Sequence, residues 1–231
     1  MEVQPARPAQ TGPAKKPRSE PRPRNAEATQ KRILKAAKAE FAKLGLGGAR
    51  VDRIAQRASA NKRMIYHYYG SKEDLFRAVL EEAYSNIRAA ERKLGLENLE
   101  PEEAIERLVS FTWNYYLQHP EFLTFVNSEN LHKARHLKKS EVIREMHKPY
   151  VAMVQAIIDR GVAKGVFRAG IDAVNLNITI AALGYYYLTN RFTGAIIYDT
   201  DLMAPARLES RLRFNLDTIN RLLRSEPHPL P

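Results

Sequence analysis

Lys62 and Arg63 stand side by side directly after Asn61, opening a short run that reads N-K-R-M-I-Y-H-Y-Y-G. Two long cationic side chains in the first turn of a helix are donors that reach phosphate oxygens and the acceptor edge of guanine. Met64 lies at the same end. Tyr66 and His67 follow with polar tips suited to phosphate oxygens flanking a groove. No partner acid or second ligand stands at useful spacing from His67, so neither catalysis nor metal binding is read there. The chemistry on offer is recognition of a polyanion.

The elements that must position these residues are short. Val51, Ile54, Ala55 and Ala58 set one helical face, which breaks at Ser59-Ala60. Asn61, a good N-cap, then starts a second helix over Lys62 to Tyr68. Two short helices joined by a three- to four-residue turn are the layout of a helix-turn-helix. Upstream, Ile33, Leu34, Ala37, Phe41 and Leu44 share one face of a helix over 26–44, which Gly45, Gly47 and Gly48 stop. That helix exposes Lys31, Arg32, Lys35 and Lys38, of which those near its start can sit against phosphates. Arg50 stands at a helix start, where free backbone N–H groups also favour an anion. Gly70 closes the second helix, Ser71 caps the next, and Lys72 is near enough for a further phosphate contact.

Charge is segregated accordingly. The first 76 residues carry 17 Lys/Arg against 7 Asp/Glu, whereas the remaining residues carry 20 against 19. Such a split points to a polyanionic partner for the N-terminal third. Six of the 13 prolines fall in residues 1–25 among Arg7, Lys15, Lys16, Arg18, Arg22 and Arg24, without apolar periodicity, which predicts a disordered basic arm. The chain lacks cysteine, so disulfides and thiolate metal sites are excluded. No apolar run reaches membrane-spanning length and no signal peptide is evident, which reads as a cytoplasmic protein with no membrane partner.

Ile33–Gly45 (I-L-K-A-A-K-A-E-F-A-K-L-G), Val51–Ala58 (V-D-R-I-A-Q-R-A) and Asn61–Phe76 (N-K-R-M-I-Y-H-Y-Y-G-S-K-E-D-L-F) resemble the head motif of the TetR family of transcriptional regulators. The resemblance implies an all-α fold: a three-helix helix-turn-helix head, then a larger helical domain for ligand binding and dimerisation. It implies a homodimer that represses a promoter until a small molecule binds. Carried to this chain, it implies base-edge contact for Lys62, Arg63 and Met64. It implies backbone contact on double-stranded DNA, at a palindromic operator, for Arg50, Tyr66, His67 and Lys72. The boundaries expected are an arm over 1–25, a DNA-binding head over 26–75 and an effector domain over 76–225. Three departures stand out. Ser59 occupies a turn position where glycine is usual, Ala49 replaces a frequent capping threonine, and Arg63 replaces a frequent glycine.

Beyond the head, Lys72 to about Leu94 reads as a long connecting helix with Leu75, Phe76, Val79, Leu80 and Tyr84 inward. Helices follow from Pro101, over 121–132, 140–164 and 172–190, and from Pro205 to Leu223. Aromatic walls with a few hydrogen-bonding groups suit a small organic effector. Trp113, Tyr116, Phe125, Asn127 and Asn130 are candidates for that lining, with His132, Tyr150, Met153 and Tyr185. The last two helices are candidates for a dimer interface through Ala181, Tyr185, Leu208, Leu212, Leu216 and Ile219, although a compact monomer would bury the same residues. Glu129, His132 and His136 share one helical face but lack a further ligand, so no metal is assigned. No phosphate loop, nucleophile elbow or acid/base pair at diagnostic spacing appears, so no enzyme activity and no cofactor are implied. Repressor, activator and effector-independent architectural protein remain alternatives, and the sequence is silent on the sign of regulation.

Overall fold

The computed structural model describes residues 23–224, with side chains from residue 26. Of the basic arm, residues 1–22 lie outside the described residues, and the rest joins the first helix. Ten α-helices follow one another: α1 (Pro23–Gly48), α2 (Val51–Arg57), α3 (Lys62–Tyr69), α4 (Lys72–Arg92), α5 (Pro101–Gln118), α6 (Pro120–Leu131), α7 (Glu141–Ala163), α8 (Ala173–Thr189), α9 (Arg191–Ile197) and α10 (Pro205–Leu223). Among the described residues there is no strand, only one isolated bridge between Phe167 and Arg224.

The helix boundaries have local causes. Gly45 adopts φ 63° and ψ −178°, interrupting α1 where the glycine cluster predicts a stop. Asn61, Ser71, Ser140 and Asp172 cap α3, α4, α7 and α8 by accepting the backbone N–H two or three residues on. Pro101, Pro120 and Pro205 occupy the first turn of α5, α6 and α10, where a missing N–H costs nothing. Arg50 holds the cap position of α2 without a side-chain capping bond. Its N–H instead donates to Glu40 Oε1 at 3.4 Å, so a neighbouring helix supplies what Ala49 lacks.

The head closes around Ile33, Ala37, Phe41, Ile54 and Ile65, all fully buried. Burying Ile65 alone contributes about 1.5–3 kcal/mol and fixes the roll of α3. The same core continues without interruption into the larger domain. Leu75, Phe76, Val79 and Leu80 of α4 belong to it, as do Trp113, Phe122 and Phe125 of α5 and α6. A second core, farther from the head, packs α5, α7, α8 and α10 through Leu108, Val154, Ile158, Leu176 and Ile219. Gly184 lets α8 approach α5 closely, since a Cβ there would stand 3.2 Å from the Tyr116 ring.

Ser59 lies in the left-handed region at φ 48°. A side chain at that conformation costs about 1 kcal/mol relative to glycine. Ser59→Gly is therefore expected to raise the thermal midpoint by about 2–4 °C, read by calorimetry; an unchanged or lowered midpoint would show that the turn is unstrained.

Candidate nucleic-acid interface and effector cavity

Because Ile65 is locked into the head, the opposite side of α3 is held outward. Lys62, Arg63 and His67 are exposed and Tyr66 is 44% exposed, while Met64 and Tyr69 pack partly against the core. The Asn61 side chain accepts from the Arg63 N–H at 2.9 Å, setting the first turn from which the two cations project. The His67 ring meets the edge of Tyr68, with centroids 5.1 Å apart. The Tyr69 hydroxyl donates to the Gln30 carbonyl at 3.1 Å, tying α3 back to α1.

The flanking cations differ in availability. Arg50 is exposed but forms two bonds to Asp52, at 3.2 and 2.8 Å. That pairing holds the Asp52 carboxyl down at about 2. Lys72 departs from the sequence-based expectation: its ammonium donates to the carbonyls of Leu46 (2.9 Å) and Ala49 (3.3 Å). Carbonyls stranded where α1 breaks are natural partners for a cation, and Lys72 thereby clamps the end of α1 to the start of α4. Two α1 cations are likewise committed within the protein: Arg32 Nε donates to the Ala58 carbonyl at 3.2 Å, and Lys38 pairs with Glu121 at 3.3 Å.

Within the larger domain a cavity of about 530 Å³ opens between α4, α5, α6, α7 and α8. Of the sequence-predicted pocket residues, Tyr116, Asn130, Tyr150 and Tyr185 line it. The others do not. Trp113 and Phe125 are buried in the core that α4 shares with the head, and Trp113 packs edge-on against Tyr187 at 5.6 Å. Asn127 accepts a hydrogen bond from the Tyr185 hydroxyl, and His132 Nδ1–H is bonded to the Ser128 carbonyl at 2.7 Å. Met153 lines a smaller cavity of about 140 Å³ on the other side of Arg88 and Glu91. Helical spacing identified apolar faces but not which face had an empty neighbour.

The polar wall of the cavity was missed in the sequence. Arg88 and Glu91 of α4 form a buried ion pair, Nη2 to Oε1 2.9 Å, with side chains 10% and 3% exposed. The guanidinium carbon lies 3.8 Å from the centroid of the Tyr150 ring, and the Tyr150 hydroxyl donates to Asn177 Oδ1 at 2.6 Å. Burial pushes the Tyr116 and Tyr150 hydroxyls well above the ordinary tyrosine value, leaving both as neutral donors. A signal for the pair was present: positions 88 and 91 fall on the stripe that Leu80, Tyr84 and Ile87 define.

Glu129 and His136, which with His132 share a helical face to which the sequence assigns no metal, are a buried pair with Oε2 and Nδ1 2.6 Å apart. Glu129 Oε1 also accepts the N–H groups of His136 and Leu137, at 2.8 and 2.9 Å. Among the described residues no group of three metal-ligating side chains occurs.

The interface candidates also divide. Ile219 is fully buried within the protomer, Leu208, Leu212 and Leu216 pack partly against its own cores, and Ala181 and Tyr185 face the cavity. Apolar side chains exposed on α8 are Val174, Ile178 and Tyr186, of which Ile178 also lines the cavity, and on α10 Phe214, on the side away from Leu212 and Leu216. Phe192, Ile196 and Ile197 of α9, a helix without a sequence-based expectation, are exposed as well. Which side of an apolar helix meets a partner is what periodicity alone leaves open.

An outward helix carrying cations, rigidly joined to an all-helical domain with an internal cavity, defines a DNA-binding transcriptional regulator. Residues 33–79 match the bacterial regulatory proteins of the tetR family, and residues 101–219 match the tetracyclin repressor-like C-terminal domain. The chain belongs to the TetR family, whose regulators bind DNA and act as dimers. It is 41% identical over 203 residues to the HTH-type transcriptional repressor NicS of Pseudomonas putida, covering 88% of this chain and 96% of the relative. It is 37% identical over 160 residues to the HTH-type transcriptional repressor SCO4008 of Streptomyces coelicolor, covering 69% of this chain and 78% of that one. Among solved structures, a TetR regulator from Chloroflexus aurantiacus shares the fold with a TM-score of 0.66 at 19% identity, over 88% of this chain and all of the other. No helix among the described residues is long and apolar enough to cross a membrane.

Burial against the core pushes the Glu91 carboxyl up to about 7, against attraction from Arg88 and Arg92. Tyr115 and Tyr116 of α5 and Tyr150 of α7 face the same pair, as does His147 of α7. Between the ordinary value of 4.5 and about 7 the folded chain keeps a proton that the unfolded chain has released. Stability contributed by Glu91 is thus present at acid pH, falls through that interval and levels off above it. His147, held below its ordinary 6.5 chiefly by burial, acts in the opposite sense and weakens the fold as pH drops. The difference in unfolding free energy between wild type and Glu91→Gln isolates the carboxyl. It is expected to fall by about 2–3 kcal/mol from pH 4.5 to 7 in denaturant titrations, and a flat difference would show that Glu91 titrates normally.

Proposed function

We propose that this chain is a transcriptional repressor that binds a palindromic operator as a homodimer and is released by a small organic effector held in the α4–α8 cavity. The observation that carries the reading is the position of α4. Its first turns, Leu75 to Leu80, lie in the core that seats α3, and its later turns, Tyr84 to Glu91, wall the cavity. An effector that moves α4 therefore moves the recognition helix. The naming of NicS and SCO4008 as repressors supports the sign of regulation.

In this reading Lys62 and Arg63 approach base edges with Met64 beside them, and Tyr66, His67 and Arg50 approach phosphates. Arg50 exchanges Asp52 for phosphate on binding. Lys72 contributes by holding the head together, with its ammonium turned toward backbone carbonyls. The dimer forms on α8 and α10 through Ile178, Tyr186 and Phe214, and a palindromic operator asks for two recognition helices about 34 Å apart, one turn of duplex. The domain division is a head to residue 75 and an effector domain beyond it, with α4 common to both.

Two measurements test the reading. Lys62→Ala and Arg63→Ala are each expected to reduce operator-over-random discrimination by about 1–3 kcal/mol, followed by fluorescence anisotropy on the upstream intergenic fragment and on a scrambled duplex. Equal losses on both duplexes would move these side chains from base edges to phosphate. Tyr186→Glu combined with Phe214→Glu is expected to convert the dimer to a folded monomer in sedimentation velocity and to weaken operator binding at least tenfold. Persistence of the dimer would place the interface elsewhere.

A further inference from the structure

Three buried polar atoms of residues that line the cavity lack a hydrogen-bond partner: Arg88 Nε, Arg88 Nη1 and Glu91 Oε2. Both residues line the main cavity, and both also line the smaller one behind it. A buried ion pair of this kind is poor value for stability, because desolvation offsets the attraction and unfilled bonding sites add to the cost. An apolar pair of similar volume would serve the fold as well or better. The open sites ask for a molecule that completes them.

We propose that Arg88 and Glu91 form the recognition pair of this cavity, taking a small, flat, uncharged heterocycle with a hydrogen-bond acceptor and an N–H donor on adjacent ring atoms, as in a cyclic amide. The proposal rests on the cavity being the effector site. The acceptor meets one of the open guanidinium donors and the N–H meets Glu91 Oε2. The 2.9 Å contact between Arg88 Nη2 and Glu91 Oε1 keeps the two groups side by side for neighbouring ligand atoms.

Charge fits an uncharged ligand. The Arg88–Glu91 ion pair is neutral as a whole, and an uncharged molecule completes its bonds without adding charge to a buried site. Shape agrees: the remaining walls include the rings of Tyr84, Tyr116, Phe122, Tyr150 and Tyr185. Stacked and edge-on aromatic faces take a planar ligand, and their hydroxyls supply secondary bonds. Placement adds a consequence. Arg88 lies 16 residues along α4 from Lys72, about 24 Å at the helical rise, so the ligand grips the far end of the helix whose near end seats the head.

Isothermal titration of the full-length dimer with carbostyril, N-methylcarbostyril and quinaldic acid tests this. Carbostyril is expected to bind about ten- to a hundredfold more tightly than its N-methyl form, which lacks the donor, and quinaldic acid no more tightly than the N-methyl form. Glu91→Leu alone leaves a buried cation and risks misfolding, so the double variant Arg88→Met/Glu91→Leu is the control. It is expected to keep its cooperative thermal unfolding and to bind the two lactams equally. Tighter binding of quinaldic acid, equal binding of the two lactams by wild type, a preference retained in the double variant, or no carbostyril binding at millimolar concentration would each overturn the proposal. Duplex binding by the same preparations keeps the two readings apart. Wild type that binds DNA but fails the lactam comparison refutes the ligand class alone, whereas wild type that binds the lactam but no duplex refutes the regulator.

Discussion

The Phe76 side chain is the contact on which the arrangement depends. Its ring meets Phe41 of α1 edge-on at 5.1 Å and His136, beyond α6, at 5.5 Å. One fully buried aromatic thus touches the head and the larger domain at once. Interiors at native packing density transmit displacement rather than absorb it, so the two parts cannot shift independently at this point. The polar bonds around it reinforce the join. Glu129 fixes the chain at His136 and Leu137 through three hydrogen bonds, and Ser128 Oγ accepts the Leu46 N–H at 3.3 Å where α1 breaks.

This junction explains why cations near the head have unequal uses. Arg32, Lys38 and Lys72 are on or beside surfaces where helices meet, and each is bonded to a carbonyl or carboxylate of another segment. Lys62 and Arg63 stand where no other helix passes. Arg63 and His67 lie on the side of α3 opposite Ile65, so a buried aliphatic residue turns them outward, while Lys62 is exposed at the helix start.

Much of the head was legible because its determinants are local. The stripe of Ile33, Ala37 and Phe41, the cap at Asn61 and the glycine at position 45 each act within a few residues, and the structure bears them out. What depends on distant packing was not. Lys133 and Ala134 both adopt left-handed conformations, at φ 55° and 56°, without a glycine to announce them. That turn folds His136 back onto Glu129, which a straight-helix reading places on a shared outer face. Arg88 and Glu91 continue the inward stripe of α4, but their residue types alone read as an ordinary exposed i,i+3 pair, and the helices packed over them enclose it. On α8 apolar residues occupy more than one side, so periodicity does not choose the outward one, and on α10 Phe214 is an apolar residue on a largely charged outer side.

The division of labour along α4 also bears on how such proteins diversify. The aromatic rings opposite Arg88 and Glu91 come from α5, α6, α7 and α8, whereas α3 packs chiefly on α2 and α4. Exchanges among those rings reshape the chamber while the seating of the recognition helix is left intact. Lineages can therefore acquire new chemical signals without rewriting the genes they address.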